Sequence, residues 1–255
     1  MLEFRNVTVQ FGGLTAVNNL SFIVPENSIY SIIGPNGAGK TTTFNCISRF
    51  YDINSGDILL NGVSILKSKP HEIVNLGITR SFQNVELFPS MSVLDNLLTG
   101  MHSVLNKNIL AISFNLKSIR RSEQQAILRA YEILELLEIR HLAEEKLENL
   151  SFGYQKMVDI GRALMTKPKL ILLDEPVAGM NPLETQKISE FISKLRHSLE
   201  ITVMLIEHDM SMVMQVSDFI TVINFGEKIT EGLPEEVMKH PKVIEAYLGE
   251  VVEHA

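Results

Sequence analysis

The chain lacks most features of secreted or nucleic-acid-binding proteins. It has one cysteine, Cys46, so it forms no internal disulfide, which suits a reducing compartment. Its 23 Lys and Arg residues against 30 Asp and Glu give a formal net charge of −7. A phosphate-binding surface usually needs a basic face, so this balance disfavours a nucleic-acid partner. We therefore expect a cytoplasmic protein that binds no nucleic acid.

Long apolar runs are also missing. The stretch ITVMLIEHDMSMVM is interrupted by Glu207, His208 and Asp209, whereas a membrane helix needs about 20 mostly apolar residues. The start MLEFRNVTVQF lacks the basic and apolar regions of a signal peptide. There is no low-complexity tract, internal repeat or long linker. These absences predict one domain, residues 1–255, that is soluble by itself.

The apolar pattern changes twice along the chain. In the first sixty residues, short apolar runs separated by Gly and Asn predict small antiparallel strands and one buried strand, Ile29 to Ile33. Helical spacing dominates from about 88 to 165, and buried-strand patterns return as LILLD, ITVMLIE and FITVINF. Strands that alternate with helices indicate a parallel sheet. The sequence thus predicts an α/β core, residues 1–87 and 166–255, interrupted by a helical subdomain at 88–165.

A glycine-rich phosphate loop follows the first buried strand. GPNGAGKT, residues 34 to 41, fits G-x-x-x-x-G-K-[ST] and lies between a predicted strand and a predicted helix, the context that the motif requires. Its glycines let backbone N–H groups turn toward phosphate oxygens at a helix N-terminus. Lys40 is suited to reach the β- and γ-phosphates, and the Thr41 hydroxyl to bind Mg²⁺. This loop predicts nucleotide binding.

A second predicted strand, LILLDE, ends in two carboxylates. Parallel strands deliver their last side chains to the carboxyl edge of the sheet, where ligands bind. Asp174 is placed to hold Mg²⁺, and Glu175 to orient or deprotonate an attacking water. His208 follows a third strand at the same edge. Taken alone, such a histidine is more often a structural hydrogen-bonding residue.

Seven motifs together resemble the ATP-binding subunits of ABC transporters. In chain order they are an aromatic-Gly pair at Phe11, GPNGAGKTT, a Gln in ITRSFQN, LSFGYQK, LILLDEP, AGMNP and IEHD. The resemblance covers nearly the whole chain. It implies a P-loop NTPase (RecA-like) core with a small antiparallel β subdomain, an inserted helical signature subdomain, and ATP and Mg²⁺ as ligands.

The resemblance also implies residue roles. Glu175, His208 (as the switch histidine) and Gln83 (as the Q-loop glutamine) would be catalytic. Phe11 would stack on adenine, although its position alone favours a core strand aromatic. The implied nucleotide contacts are Phe11, Val17, Gly34, Pro35, Asn36, Gly37, Ala38, Gly39, Lys40, Thr41 and Thr42, and the implied Mg²⁺ ligands are Thr41, Gln83 and Asp174.

LSFGYQK is similar to the LSGGQ-type signature that acts on the nucleotide of the partner subunit. Ser151 and Gly153 keep a hydroxyl and an unhindered amide at a helix N-terminus. Phe152 replaces a glycine, and its side chain can point back into the helical subdomain if the backbone keeps ordinary φ and ψ angles. Tyr154 replaces the usual Gln, with Gln155 one place later. The alternative is that Ser151 only caps the helix.

Further stretches narrow the resemblance to ATP-binding subunits of branched-chain amino acid importers. They are VTVQFGGLTAVNNLSF, ITRSFQNVELFPSMSVLDNLL, the tail HPKVIEAYLGE and the extra length between Met101 and Arg121. Related subunits for urea, other amino acids or lipopolysaccharide export share much of this. In AGMNP, which is similar to the D-loop, Asn181 stands where many relatives have Asp, and this puts the cross-subunit contacts there in doubt.

The implied partners are polytopic permease subunits and a second ATP-binding subunit in a head-to-tail dimer. A substrate-binding protein would act indirectly, and the chain would lie at the cytoplasmic face of the membrane. Two other classes compete with this reading. A soluble ABC protein of ribosomes or DNA repair usually carries two cassettes, long coiled coils or basic surfaces, and a P-loop kinase would not need the signature helix.

Overall fold

The computed structural model describes residues 1–81, 86–101 and 116–253, and it groups them into two compact units. Unit 1 combines Met1–Arg80 with Lys169–Ala255, and unit 2 is Ser81–Pro168. The first unit carries two sheets, whereas the second is built mainly of helices. Gln83, one of the predicted site residues, lies outside the described residues.

The larger sheet of unit 1 is built on three fully buried strands. Its six strands run in the order β10-β9-β3-β8-β7-β6, and β9, β3, β8 and β7 are mutually parallel neighbours. The predicted parallel sheet is thus confirmed. The bounds are β3 (Ile29–Ile33), β6 (Ile78–Ser81), β7 (Leu170–Asp174), β8 (Thr202–Ile206), β9 (Phe219–Asn224) and the antiparallel β10 (Glu227–Gly232).

The smaller sheet is antiparallel, as the alternating pattern near the N-terminus predicts. Its order is β2-β1-β4-β5. Apolar residues on its inner face pack with the larger sheet around a stack of three aromatic rings, Phe4, Phe22 and Tyr30. The strands are β1 (Leu2–Phe11), β2 (Leu14–Val24), β4 (Ser55–Leu60) and β5 (Val63–Ser64).

Helices connect the strands of unit 1. Helix α1, which follows β3 after the phosphate loop, buries Cys46. Burial raises the pKa of the Cys46 thiol to about 12, so this thiol behaves as a small apolar group. The described helices of this unit are α1 (Lys40–Ile47), a 3₁₀ helix (Pro70–Leu76), α5 (Pro182–Leu199), α6 (Met210–Val216), α7 (Pro234–Val237) and α8 (Pro241–Glu253).

The described residues of unit 2 form three helices that pack around small and apolar side chains. They are α2 (Val93–Thr99), α3 (Leu116–Leu136) and α4 (Phe152–Leu164), with short 3₁₀ turns at Arg140–Leu142 and Leu147–Asn149. Gly161 lets the helices approach closely, because a Cβ there would lie 2.8 Å from Leu137 Cδ1 and 2.9 Å from Leu97 Cδ2. The apolar residues of α4 recur at helical spacing, and the face that they form is buried against the neighbouring helices.

In the part of the chain that the structure describes, no helix combines the length and the apolar character needed to cross a bilayer.

Candidate active site

The phosphate loop is held by two glycines that no other residue could replace without a backbone shift. A Cβ on Gly34 would lie 2.0 Å from the Ile223 carbonyl oxygen, and one on Gly39 would lie 2.4 Å from the Ala16 carbonyl oxygen. Gly39 also has a φ of 101°, which L side chains rarely adopt. The loop between β3 and α1 therefore requires glycine at both positions.

Lys40 begins α1 and lies against its own loop. Its Nζ donates to the carbonyl oxygens of Gly34 at 2.6 Å and Pro35 at 2.9 Å. The Thr41 side chain is exposed in the first turn, and Thr42 is half-buried. At the other loop positions Asn36 and Gly37 are exposed, Pro35 is half-buried and Ala38 is buried. The ammonium group and the Thr41 hydroxyl thus lie at the same helix N-terminus, where phosphate binds favourably.

Asp174 ends β7 and is only 2% exposed. Its Oδ2 accepts a hydrogen bond from Arg80 Nη2 at 2.6 Å. Its Oδ1 is buried and has no hydrogen-bond partner among the described residues. A buried carboxylate oxygen left in this way fits a hard cation such as Mg²⁺, which prefers oxygen ligands. The donor set of Asp174 and the exposed Thr41 hydroxyl therefore suits Mg²⁺.

Sequence reasoning missed Arg80. Besides Asp174, its guanidinium donates to Asn45 Oδ1 at 2.7 Å, and it lies 5.6 Å from the centre of the Phe44 ring. Arg80 thereby joins β6 to α1 and to the end of β7. The available signal was a basic side chain within the strand ITRS, next to the acidic strand in the sheet.

Glu175 and His208 come together at the carboxyl ends of β7 and β8. His208 Nδ1 lies 3.9 Å from Glu175 Oε1. The Glu175 backbone has a φ of 47°, unusual for a residue with a side chain, and its N–H donates to the Ile206 carbonyl at 2.9 Å. The His208 side chain is 59% exposed and Glu175 is mostly buried. This pair has the acid–base chemistry and the exposure that water activation needs.

Glu207 is a second residue that the sequence reading did not single out, since it was treated only as the end of a strand. It is fully buried, and its carboxylate accepts three backbone N–H groups, from Val177, His208 and Asp209. Burial raises the pKa of Glu207, while these backbone hydrogen bonds oppose the rise.

The predicted adenine-stacking residue, Phe11, lies on the surface at the end of β1. It is 44% exposed, and its ring meets the Tyr51 ring edge-on at a centroid distance of 5.1 Å. Phe11 is thus available to a base and is no core aromatic. Val17 differs, because it is fully buried beside Gly39 of the phosphate loop, and its contact with nucleotide stays a prediction.

Asn181 caps helix α5. Its Oδ1 accepts the N–H groups of Leu183 and Glu184, both at 3.0 Å, and its own N–H donates to the Glu184 carboxylate at 3.3 Å. This is a reciprocal capping box. Asn181, which replaces the Asp of many relatives, therefore stabilises the start of α5 in this chain.

The signature residues lie at the start of α4 in unit 2. Ser151 occupies the N-cap position, is exposed, and makes no capping hydrogen bond to the described residues of the helix. Gly153 is buried and Tyr154 is half-buried. Gln155 Nε2 donates to the carbonyls of Leu147 at 3.3 Å and Leu150 at 3.0 Å, so this side chain holds the preceding turn.

Phe152 lies at the surface. The sequence allows its ring to turn into the helical subdomain, but the residue is 46% exposed in the structure. As the first residue of α4, it lies outside the face that the helix buries, which begins at Gly153. An exposed aromatic therefore stands next to Ser151.

Comparison with protein families gives two matches. The ABC transporter family matches residues 17–178, and the family described as branched-chain amino acid ATP-binding cassette transporter matches residues 227–253. The second match covers β10 and the helices that follow it.

The chain is also similar to curated proteins along almost its whole length. It is 45% identical over 250 residues to the high-affinity branched-chain amino acid transport ATP-binding protein BraF of Pseudomonas aeruginosa, covering 98% of each chain. It is 41% identical over 250 residues to LivG of Escherichia coli K12, which carries the same description and is covered to the same extent.

Solved structures give the same fold. The ADP conformation of MJ1267, an ATP-binding cassette of an ABC transporter, has a TM-score of 0.86 at 35% identity, covering 98% of each chain. The cassette MJ0796, a dimer bound to ADP and Pi in a post-hydrolysis state, has a TM-score of 0.75 at 25% identity, covering 92% of this chain and 99% of that one.

Proposed function

The chain belongs to the ATP-binding proteins of ABC transporters, and we propose that its ATPase activity drives the import of branched-chain amino acids through a membrane permease. The observation that carries this proposal is the full-length similarity to BraF and LivG, joined to the C-terminal match at residues 227–253. The C-terminal match supports the branched-chain class more specifically than the shared cassette does.

Each site residue takes a role that follows from its position. The loop amides and Lys40 bind the phosphates, and Phe11 stacks on the base, which is worth roughly 1–3 kcal/mol. Glu175 orients and deprotonates the attacking water, and His208 beside it contacts the γ-phosphate. Thr41, Asp174 and Gln83 would hold Mg²⁺, which when bound neutralises charge on the β- and γ-phosphates.

A second copy of an ATP-binding subunit completes the site. In a head-to-tail dimer, Ser151 and the amides at the start of α4 would contact the γ-phosphate bound by the partner. The exposure of Ser151 at a helix N-terminus supports this role. The permease holds the pair at the cytoplasmic face of the membrane, and a substrate-binding protein delivers the amino acid.

Uptake measurements test the substrate class. In a strain lacking this gene, uptake of labelled leucine, isoleucine and valine should fall, and the wild-type gene should restore it. A gene carrying Lys40→Ala should not, because the phosphate-binding ammonium is lost. Unchanged branched-chain uptake with a loss of urea or acidic amino acid uptake would assign a different substrate.

A further inference from the structure

Glu207 connects two catalytic loops through one buried carboxylate. Its Oε1 accepts the N–H of Val177 at 3.0 Å, and its Oε2 accepts the N–H of His208 at 3.0 Å and of Asp209 at 3.3 Å. Val177 lies 30 residues earlier in the chain, two residues beyond Glu175. Both carboxylate oxygens are therefore occupied by the backbones that flank the catalytic pair.

The loop after β7 has few other anchors of this kind. The parallel ladder between β7 and β8 ends with the bond from Glu175 N–H to the Ile206 carbonyl, and local turns follow at Ala178 and Met180. Beyond this bond, the hydrogen bond from the Val177 N–H to Glu207 joins the loop to the chain that follows β8. It fixes the chain on the far side of Glu175, whose backbone has the unusual φ of 47°.

We propose that Glu207 is a positioning residue for ATP hydrolysis, holding Glu175 and His208 in register by binding the backbone of both of their loops. This role rests on the proposed catalytic function of Glu175. A carboxylate suits it because three N–H donors converge on it, and hydrogen bonds to a charged acceptor are the stronger kind. An uncharged amide would keep one acceptor oxygen and turn an NH₂ group toward donors.

Glu207→Gln tests the role, with Asp218→Asn as the matched control. Asp218 Oδ2 also accepts a backbone N–H, that of Ile29 at 2.8 Å, but at the opposite end of the sheet. We expect Glu207→Gln to bind ATP with unchanged affinity and to lower kcat on the order of 10²-fold, as expected when reacting groups are displaced. Asp218→Asn should leave kcat unchanged, whatever it does to stability.

Amide hydrogen exchange gives a readout independent of turnover. Glu207→Gln should speed exchange both at residues 207–209, next to the substitution, and at Val177 in the separate β7 loop. Asp218→Asn should alter neither segment. If Glu207→Gln does not fold, Glu207→Asp, which keeps the charge on a shorter side chain, replaces it, and we expect the same changes to a smaller degree.

The outcomes separate this inference from the proposed function. Wild-type kcat in Glu207→Gln, or unchanged exchange at Val177, would overturn the positioning role. A Glu175→Gln variant measured alongside tests the function on which it rests. If Glu175→Gln loses hydrolysis while Glu207→Gln keeps it, only the inference about Glu207 is wrong.

Discussion

At the scale of single residues, Arg80 forms an ion pair with Asp174, a residue of the candidate metal site. Its ion pair with Asp174 is buried, with side-chain exposures of 8% and 2%. Arg80 occupies one carboxylate oxygen of Asp174 and leaves the other for Mg²⁺. A pair of this kind fixes the orientation of the aspartate and neutralises it before the metal binds, so its loss has two separable effects.

Arg80→Gln should destabilise the nucleotide-free protein by about 3–5 kcal/mol, because it leaves the Asp174 charge buried without its cation. MgATP supplies another cation, so it should raise the Tm of Arg80→Gln more than that of wild type. Arg80→Lys, which keeps a positive charge, is the control and should show a smaller effect. An equal MgATP shift in all three proteins, by thermal unfolding, would remove Arg80 from the metal site.

Sequence motifs predicted the polar residues of the site, but they did not predict the residues that surround them. Lys40, Asp174 and Glu175 follow from motifs in which a strand leads into a ligand loop, so local sequence specifies their place. Arg80 and Glu207 act through contacts with residues distant in the chain, which no local pattern reports. The burial of Val17 does not follow from the sequence either, because a strand residue beside a phosphate loop has two faces, and only the packing decides which is buried.

At the scale of elements, the N-terminus of α5 depends on Asn181. Asn181→Ala should lower stability by about 1 kcal/mol, because two helix N–H groups lose their acceptor. Asn181→Asp restores an acceptor and should keep wild-type stability in urea unfolding. If Asn181→Ala is as stable as wild type, the capping box contributes nothing to α5.

At the N-terminus of α4 we expect Ser151 and Tyr154 to contribute differently to ATP hydrolysis. Ser151→Ala should weaken ATP-driven dimerisation and hydrolysis, since a hydrogen bond to a charged phosphate is worth roughly 1.5–3 kcal/mol. Tyr154→Gln should be neutral or mildly activating, because the backbone donors stay in place. Both are best measured in the assembled transporter. Loss of activity in Tyr154→Gln with full activity in Ser151→Ala would reverse the two roles.

Buried strands were the most predictable elements. The apolar runs LILLD and ITVMLI are fully buried as β7 and β8, because a strand covered on both faces reads as a continuous apolar run. The ends of α4 were harder to interpret. LSFGYQK contains a serine at the N-cap position and an aromatic, and composition alone does not tell whether that aromatic faces the core or the solvent.

At the scale of the whole molecule, the buried carboxylate Asp159 makes stability depend on pH. Burial raises its pKa from the ordinary 3.8, although the facing cations of Arg162 and Lys156 and the Ser81 hydroxyl oppose this. A raised pKa means that the folded chain holds this proton more tightly than the unfolded chain. The stabilisation is complete below the unfolded pKa and is lost as pH rises through the folded value.

Asp159→Asn removes this titration. Asp159→Asn also loses the hydrogen bonds to Arg162 and Ser81, and this cost is the same at every pH. As pH rises from about 4 toward 7, the free energy of unfolding of Asp159→Asn should therefore increase relative to that of wild type. Urea unfolding at several pH values measures the difference. A difference that stays constant or falls with rising pH would show that the pKa is not raised.

The most direct test of the account is the mass of Glu175→Gln in solution with MgATP. In the proposed function Glu175 supplies the base, which contributes roughly 10²–10⁴-fold to hydrolysis, so this variant should bind ATP and keep it. Light scattering after gel filtration should then give twice the 28.6 kDa of one chain, and the added substitution Lys40→Ala should return the mass to that of one chain. Wild-type turnover by Glu175→Gln, or a single-chain mass with ATP bound, would contradict a site that hydrolyses ATP between two copies.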